Sequence, residues 1–316
     1  MPCSATERAA DLPRRSNLQA RRRLTQLAFF ALFLLAPALD LLRFDLHEAQ
    51  LWLLGQRWSL GIDAFQRGEL DATAVALSIL FKAIVPGVLL VAGFLFVAWR
   101  YGRLYCGWLC PHFSLVELLN GLLHKASGRW SIWERPDSAQ RSRAHAAAFA
   151  LLALGFGFVW SVTLLTYLLP PSEIWGGLLS ASLTPNQTRF LLIAWALISA
   201  ELVLARHLFC RFGCAVGFFQ SLAWMANRKA LVVSFARQRA AECRGCQPVA
   251  DACETVCPMR LRPRVQKRLM FSCVQCGQCL QACEGSHDAR GQATPNLQWQ
   301  VGLDALRETL PSRRSR

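Results

Sequence analysis

The chain has 316 residues, 53% of them hydrophobic and only 17% charged, with a formal net charge of +15 and 13 cysteines. Soluble domains carry about 25% charged residues, so the composition excludes an ordinary soluble globular protein and points to the bilayer. A nucleic-acid binder and a secreted disulfide framework are excluded as well: the basic residues flank apolar stretches, and eight cysteines are packed between Cys243 and Cys283 at metal-ligand spacing.

In chain order, residues 1–23 hold six arginines and form a basic tail. The first apolar stretch, 24–42, is long enough to cross a membrane, which takes roughly 20 helical residues. Its Ala36-Pro37-Ala38 segment, following a basic start, also fits a signal-peptide cleavage site. Residues 43–71 carry Trp52, Trp58 and an apolar run at 51–54, which predicts a short helix lying at the outer interface. A second span over 72–99 contains Pro86-Gly87, a kink signal, and Lys82, whose long side chain can snorkel to the surface. Further spans are predicted over 144–169 and 188–209.

The flanks orient these spans. Loop 100–143 holds seven Lys plus Arg, loop 43–71 holds three against five acids, and loop 170–187 holds none. Positive residues stay inside, so the chain is read as a multi-pass protein of the bacterial inner membrane with both termini cytoplasmic. Residues 228–268 carry ten Lys plus Arg and three acids, which suits anionic lipid or an acidic redox partner.

The chemistry is concentrated in the tail. It reads Cys243-x2-Cys246-x6-Cys253-x3-Cys257-Pro258, then Cys273-x2-Cys276-x2-Cys279-x3-Cys283. The second run has bacterial ferredoxin spacing, in which three cysteines wrap one cubane and the fourth reaches the other. Two [4Fe–4S] clusters follow. One takes Cys273, Cys276, Cys279 and Cys257; the other takes Cys243, Cys246, Cys253 and Cys283. The six-residue gap before Cys253 departs from the usual spacing. Paired Cys-x2-Cys also serves zinc ribbons, although these do not need the compact x2-x2-x3 run.

Two further pairs, Cys106-x3-Cys110 and Cys210-x3-Cys214, follow the second and fourth spans in matching positions. A pseudo-twofold pair of helical hairpins explains that echo. On a helix, residues i and i+4 share a face, so the four sulfurs would converge at the inner surface on a metal ion or redox group, with His112 and His207 beside them. Soft thiolates suit copper as Cu(I).

Taken together, Gly102-Arg103-Leu104-Tyr105-Cys106-Gly107-Trp108-Leu109-Cys110-Pro111, Cys210-Arg211-Phe212-Gly213-Cys214-Ala215-Val216-Gly217 and the ferredoxin tail resemble the NapH/CcoG-type membrane polyferredoxins over about residues 24–290. Ala215 stands where that family has proline. The resemblance implies electron transfer between quinol or a cytoplasmic donor and a membrane-surface or extracytoplasmic acceptor, as a carrier and not as a stand-alone enzyme. Its other branch implies copper handling during oxidase assembly, and a zinc-stabilised membrane scaffold is the non-redox alternative. The expected fold is mainly α, with about four transmembrane helices and a small α+β dicluster ferredoxin-like cytoplasmic module. The expected divisions are the tail 1–23, membrane domain 24–209, basic linker 210–240, ferredoxin domain 241–290 and polar tail 291–316. Membrane lipid and a redox protein are the expected partners, with no nucleic acid.

Overall fold

The structure, a computed structural model, describes residues 18–48, 50–134, 142–246, 251–265, 267–291 and 294–305. Most of the basic tail, including Cys3, and residues 306–316 lie outside the described residues.

Helix α1 covers Leu18–Leu35 and ends two residues before Pro37, which has no N–H to continue the ladder. After Arg23 that leaves residues 24–35, about 18 Å of apolar helix, shorter than the span expected over 24–42. The predicted interfacial helix is instead a three-stranded antiparallel sheet: β1 Leu42–Asp45, β2 Gln50–Leu53 and β3 Gln56–Trp58. The reason is the two-residue turn Leu54-Gly55, both residues at positive φ (52° and 74°), the geometry a tight hairpin needs. Short helix α2, Ile62–Gln66, leads to α3, the run Ala72–Tyr101. Ahead of Pro86 the ladder of α3 loosens into a π turn at Leu80–Ile84. Then come α4 Leu104–Trp108, α5 Pro111–Ser127, α6 Arg143–Thr166, α7 Pro171–Leu179, α8 Pro185–Leu204 and, after a π turn Phe209–Gly213, α9 Ala215–Ala226. The tail supplies β4 Val232–Phe235, α10 Ala252–Thr255, α11 Gln278–Asp288 and β5 Leu297–Gln300.

Among the described residues three helices are long and apolar enough to cross a membrane: α3, α6 and α8, with 30, 24 and 20 residues. The shortest is about 30 Å long, the thickness of the hydrocarbon core.

The chain divides into two compact units, one from residues 28–93 and 115–206, the other from 1–27, 94–114 and 207–316. In the first, the indole of Trp195 on α8 donates to the Leu154 carbonyl of α6 at 2.9 Å. Val162, Leu165, Leu169, Ile174 and Leu191 form the core where α6, α7 and α8 meet. The small sheet is fixed to the end of α6 by Phe44 N–H to Tyr167 O (2.8 Å) and Leu46 N–H to Leu168 O (3.0 Å). Lys82 on α3 is exposed, its Nζ donating to Ser59 O at 3.1 Å.

The second unit contains every described cysteine. β4 and β5 pair antiparallel, so residues 297–300 of the expected polar tail are a strand. Phe235 and Leu297 from that ribbon pack against Cys253 and Cys279, which puts thiols inside the apolar core.

Candidate metal centres

The eight tail cysteines line two hollows. Cys243, Cys246, Cys253 and Cys283 line one with Phe235, Arg264 and Asn296. Cys257, Cys273, Cys276 and Cys279 line the other. Each hollow therefore draws on both cysteine runs, with Cys257 and Cys283 crossing over. Cys253, separated by the long gap, stands with its three expected companions.

Local backbone produces this arrangement. Gln275 and Gly277 take positive φ (54° and 74°), curling the loop between Cys273 and Cys279 around one point. Asp251 at φ 58° turns the chain into α10, which buries Cys253. Amides then point at sulfur: Leu261 N lies 3.3 Å from Cys257 Sγ, and Asn296 and Leu297 N–H groups face Cys283.

The donor set fits an iron–sulfur core. Burial pushes the Cys253 and Cys273 thiols up to about 12, and raises Cys257, Cys276, Cys279 and Cys283 as well. Four thiolates gathered in low dielectric repel one another, and a cationic metal core relieves both costs. A single zinc ion would draw four sulfurs to within about 3.8 Å of each other at its tetrahedral bond length. Among the described residues, no three His, Cys, Asp or Glu side chains converge on one ion.

The two Cys-x3-Cys pairs differ from the one-face helix expected of them. Cys106 lies in α4, but the helix breaks at Leu109, and Cys110 precedes Pro111 at the start of α5. Cys210 lies in the π turn, and Cys214 is the N-cap of α9. Proline at 111 opens a new helix where the old one would have continued. Each motif thus places its second sulfur at a helix N-terminus, where free amides favour negative charge. The His112 and Phe113 amides donate to Cys110, although burial outweighs them and raises that thiol to about 11.

The pairs do approach one another. Cys106 and Cys110 both feel the charge of Cys214. Cys210 Sγ lies 3.5 Å from His112 Nδ1, and the Gln220 amide donates to Cys106 Sγ at 3.4 Å. His207 is buried. The first motif also packs on the tail. A Cβ on Gly107 would lie 2.0 Å from Val274 O, so only glycine lets Cys106 and the Cys273–Cys276 loop come together.

Sequence reasoning missed the residues that make this junction. Arg22 and Arg103 are each 1% exposed. Arg22 Nε donates to Gly107 O at 2.8 Å, Gln26 to the same oxygen at 3.1 Å, and Gln19 to Cys276 O at 2.9 Å. The signal was present in α1: Gln19, Arg22 and Gln26 fall on one helical face at spacings of three and four. Among the six arginines of residues 1–23, charge alone does not set Arg22 apart from Arg21 and Arg23.

A family described as a 4Fe-4S binding domain matches the chain twice, over residues 83–129 and 188–232. Each match contains one Cys-x3-Cys pair, and neither reaches the tail cysteines 243–283. The nitrogen fixation protein FixG of Rhizobium meliloti (strain 1021) is 25% identical over 238 residues, covering 66% of this chain and 42% of the relative. The chain therefore spans about two-fifths of the curated relative it matches. No solved structure matches it. The double domain match, the FixG similarity and the three membrane-length helices support an iron–sulfur protein associated with the membrane.

Proposed function

We propose that the chain is a NapH/CcoG-type inner-membrane electron carrier holding two [4Fe–4S] clusters in a cytoplasmic dicluster module. Cys243, Cys246, Cys253 and Cys283 ligate one, and Cys257, Cys273, Cys276 and Cys279 the other. The observation that carries this reading is the sorting of eight cysteines into two hollows of four, in the interleaved pairing that ferredoxin spacing implies. When bound, each cluster exchanges one electron at a time. The protein supplies thiolates, amides aimed at sulfur, and a dry apolar wall of Phe235, Leu297 and Met259. Those are the means by which a fold sets cluster potentials.

Electrons enter from quinol or a cytoplasmic donor and leave towards a membrane-surface or extracytoplasmic acceptor. Cys106, Cys110, Cys210 and Cys214 form a further redox or metal site between tail and bilayer. Support comes from the close seating of Gly107 on Val274, where an added Cβ would lie 2.0 Å from the carbonyl oxygen. Both termini are cytoplasmic in this reading, because the arginine-rich flanks lie on that side.

Selective ligand loss tests the assignment. Cys246→Ser and Cys276→Ser proteins, purified without oxygen, should each retain about four iron per chain, with different EPR components remaining. Equal loss of both clusters in each variant would contradict the two-site division.

A second reading is favoured by one observation, the approach of the two motifs, with Cys210 Sγ 3.5 Å from His112 Nδ1 and the Gln220 amide 3.4 Å from Cys106 Sγ. In it these thiols bind copper as Cu(I), each Cu(II) taking one electron from a reduced tail cluster, which is oxidised in the same step. Copper binding lost in Cys106→Ser/Cys210→Ser protein, with all iron retained, would select it over the carrier reading.

A further inference from the structure

Helix α11 carries a third side chain on the face of its two cysteines. Cys279, Cys283 and His287 follow one another at intervals of four, so each sits about one turn beyond the last on the same side of the helix. Helical side chains lean towards the preceding turn, which directs the His287 ring back towards Cys283. His287 borders the hollow of Cys243, Cys246, Cys253 and Cys283 and is 2% exposed. Its Nδ1 is enclosed and has no hydrogen-bond partner among the described residues. Asn296, also 2% exposed, borders the same hollow just ahead of β5, with Nδ2 3.8 Å from Cys243 Sγ and 3.2 Å from Arg239 O. The charged side chains of this rim offset one another: Arg264 reaches Asp251 at 2.7 Å and Glu254 at 2.6 Å, and Arg262 reaches Glu254 at 3.9 Å. The Cys257/Cys273/Cys276/Cys279 hollow differs. Among its described lining residues the one polar side chain besides cysteine is Gln275, whose Nε2 donates to Leu231 O at 3.5 Å.

A buried ring nitrogen without a protein partner is rare and calls for an acceptor of another kind. Thiolate and sulfide sulfurs of an iron–sulfur cluster are such acceptors, and hydrogen bonds to them are one of the levers that set its potential. A hydrogen bond strengthens with the negative charge of its acceptor, so these donors favour the reduced state. We propose that His287 and Asn296 donate hydrogen bonds to sulfur at the cluster held by Cys243, Cys246, Cys253 and Cys283, making it the higher-potential, electron-accepting member of the pair. The step they act on is one electron passing from the other tail cluster, which is oxidised, to this one, which is reduced. No bond forms or breaks, and the imidazole keeps its proton. This inference rests on the two-cluster reading above and adds to it the order of potentials within the tail.

The test is an anaerobic, EPR-monitored dithionite titration of the full chain in detergent, with iron counted in every sample. The couples are assigned by which one Cys246→Ser and Cys276→Ser each remove. In wild type, the couple removed by Cys246→Ser should be the higher of the two. In His287→Phe that couple should move down by about tenfold in its reduction equilibrium, the scale of one charge-assisted hydrogen bond, which is about 59 mV for one electron. The other couple should stay within about twofold. His287→Gln, which keeps an N–H donor, should restore most of the shift. Asn296→Ala should move the same couple in the same direction. A Cys246-dependent couple lying below the other in wild type would overturn the inference. So would full iron in His287→Phe with neither couple moving, or a glutamine variant that behaves like phenylalanine. Loss of iron from both His287→Phe and Asn296→Ala would also overturn it, since these side chains would then hold the site and not its potential. A wild-type protein with a single couple is a separate failure, that of the two-cluster reading, and shows before any His287 variant is measured.

Discussion

Gly107→Ala tests the junction between the first thiol motif and the tail. The added Cβ would sit 2.0 Å from the Val274 carbonyl oxygen, a backbone atom that no rotamer change can remove. Ordinary carbon–oxygen contact is about 3.3 Å, so the two segments must separate by roughly 1.3 Å. Overpacking of that kind costs about 1–3 kcal/mol. The same residue's carbonyl accepts from Arg22 and Gln26, and straining a charge-assisted and a neutral bond adds about 1–2 kcal/mol. The expected loss is about 2–5 kcal/mol, read as the denaturant midpoint for bleaching of cluster absorbance in detergent. Gly155→Ala is the control: nothing lies within 4 Å of its Cβ in α6, and alanine there should stabilise by about 0.5–1 kcal/mol. A Gly107→Ala midpoint equal to wild type would refute the close seating of Cys106 on the tail loop.

Two other expectations follow from buried polar groups. Lys267 Nζ donates to Trp224 O (2.8 Å) and Asn227 O (2.6 Å), while burial pulls its pKa down from 10.5 to about 8. The unfolded chain therefore binds the extra proton between those values. Stability should rise by on the order of 2–3 kcal/mol as pH climbs from about 8 to about 10.5, and fall again as pH drops back through 8. Urea titrations across that window should show the rise in wild type and not in Lys267→Met; equal slopes would refute it. At the start of α8, Thr184 and Gln187 form a reciprocal capping box, so Thr184→Ala should lower thermal stability by about 1 kcal/mol, with Thr184→Ser close to neutral.

What the sequence revealed depended on the range over which each signal acts. The three long helices were legible because about 20 apolar residues in a row are needed for nothing else of that length. The compact run from Cys273 to Cys283 fixed its own geometry, as its x2 spacing sets how far each thiol can reach. The sheet at 42–58 was hidden because Leu51–Leu54 reads as apolar in any period, and the turn at Leu54-Gly55 was overlooked. Cys110 and Cys214 were placed on continuing helices although Pro111 follows the first directly. Arg22 and Arg103 could not be found by local pattern at all. Their partners are 85 and 107 residues away in sequence, at Gly107 and Cys210.

Iron, acid-labile sulfide and zinc, measured on anaerobically purified protein alongside EPR of the reduced state, test the central claim most directly. The two four-cysteine hollows predict about eight iron and about eight sulfide per chain, with two couples and no stoichiometric zinc. A colourless protein carrying zinc, or one with about four iron and a single couple, would contradict it.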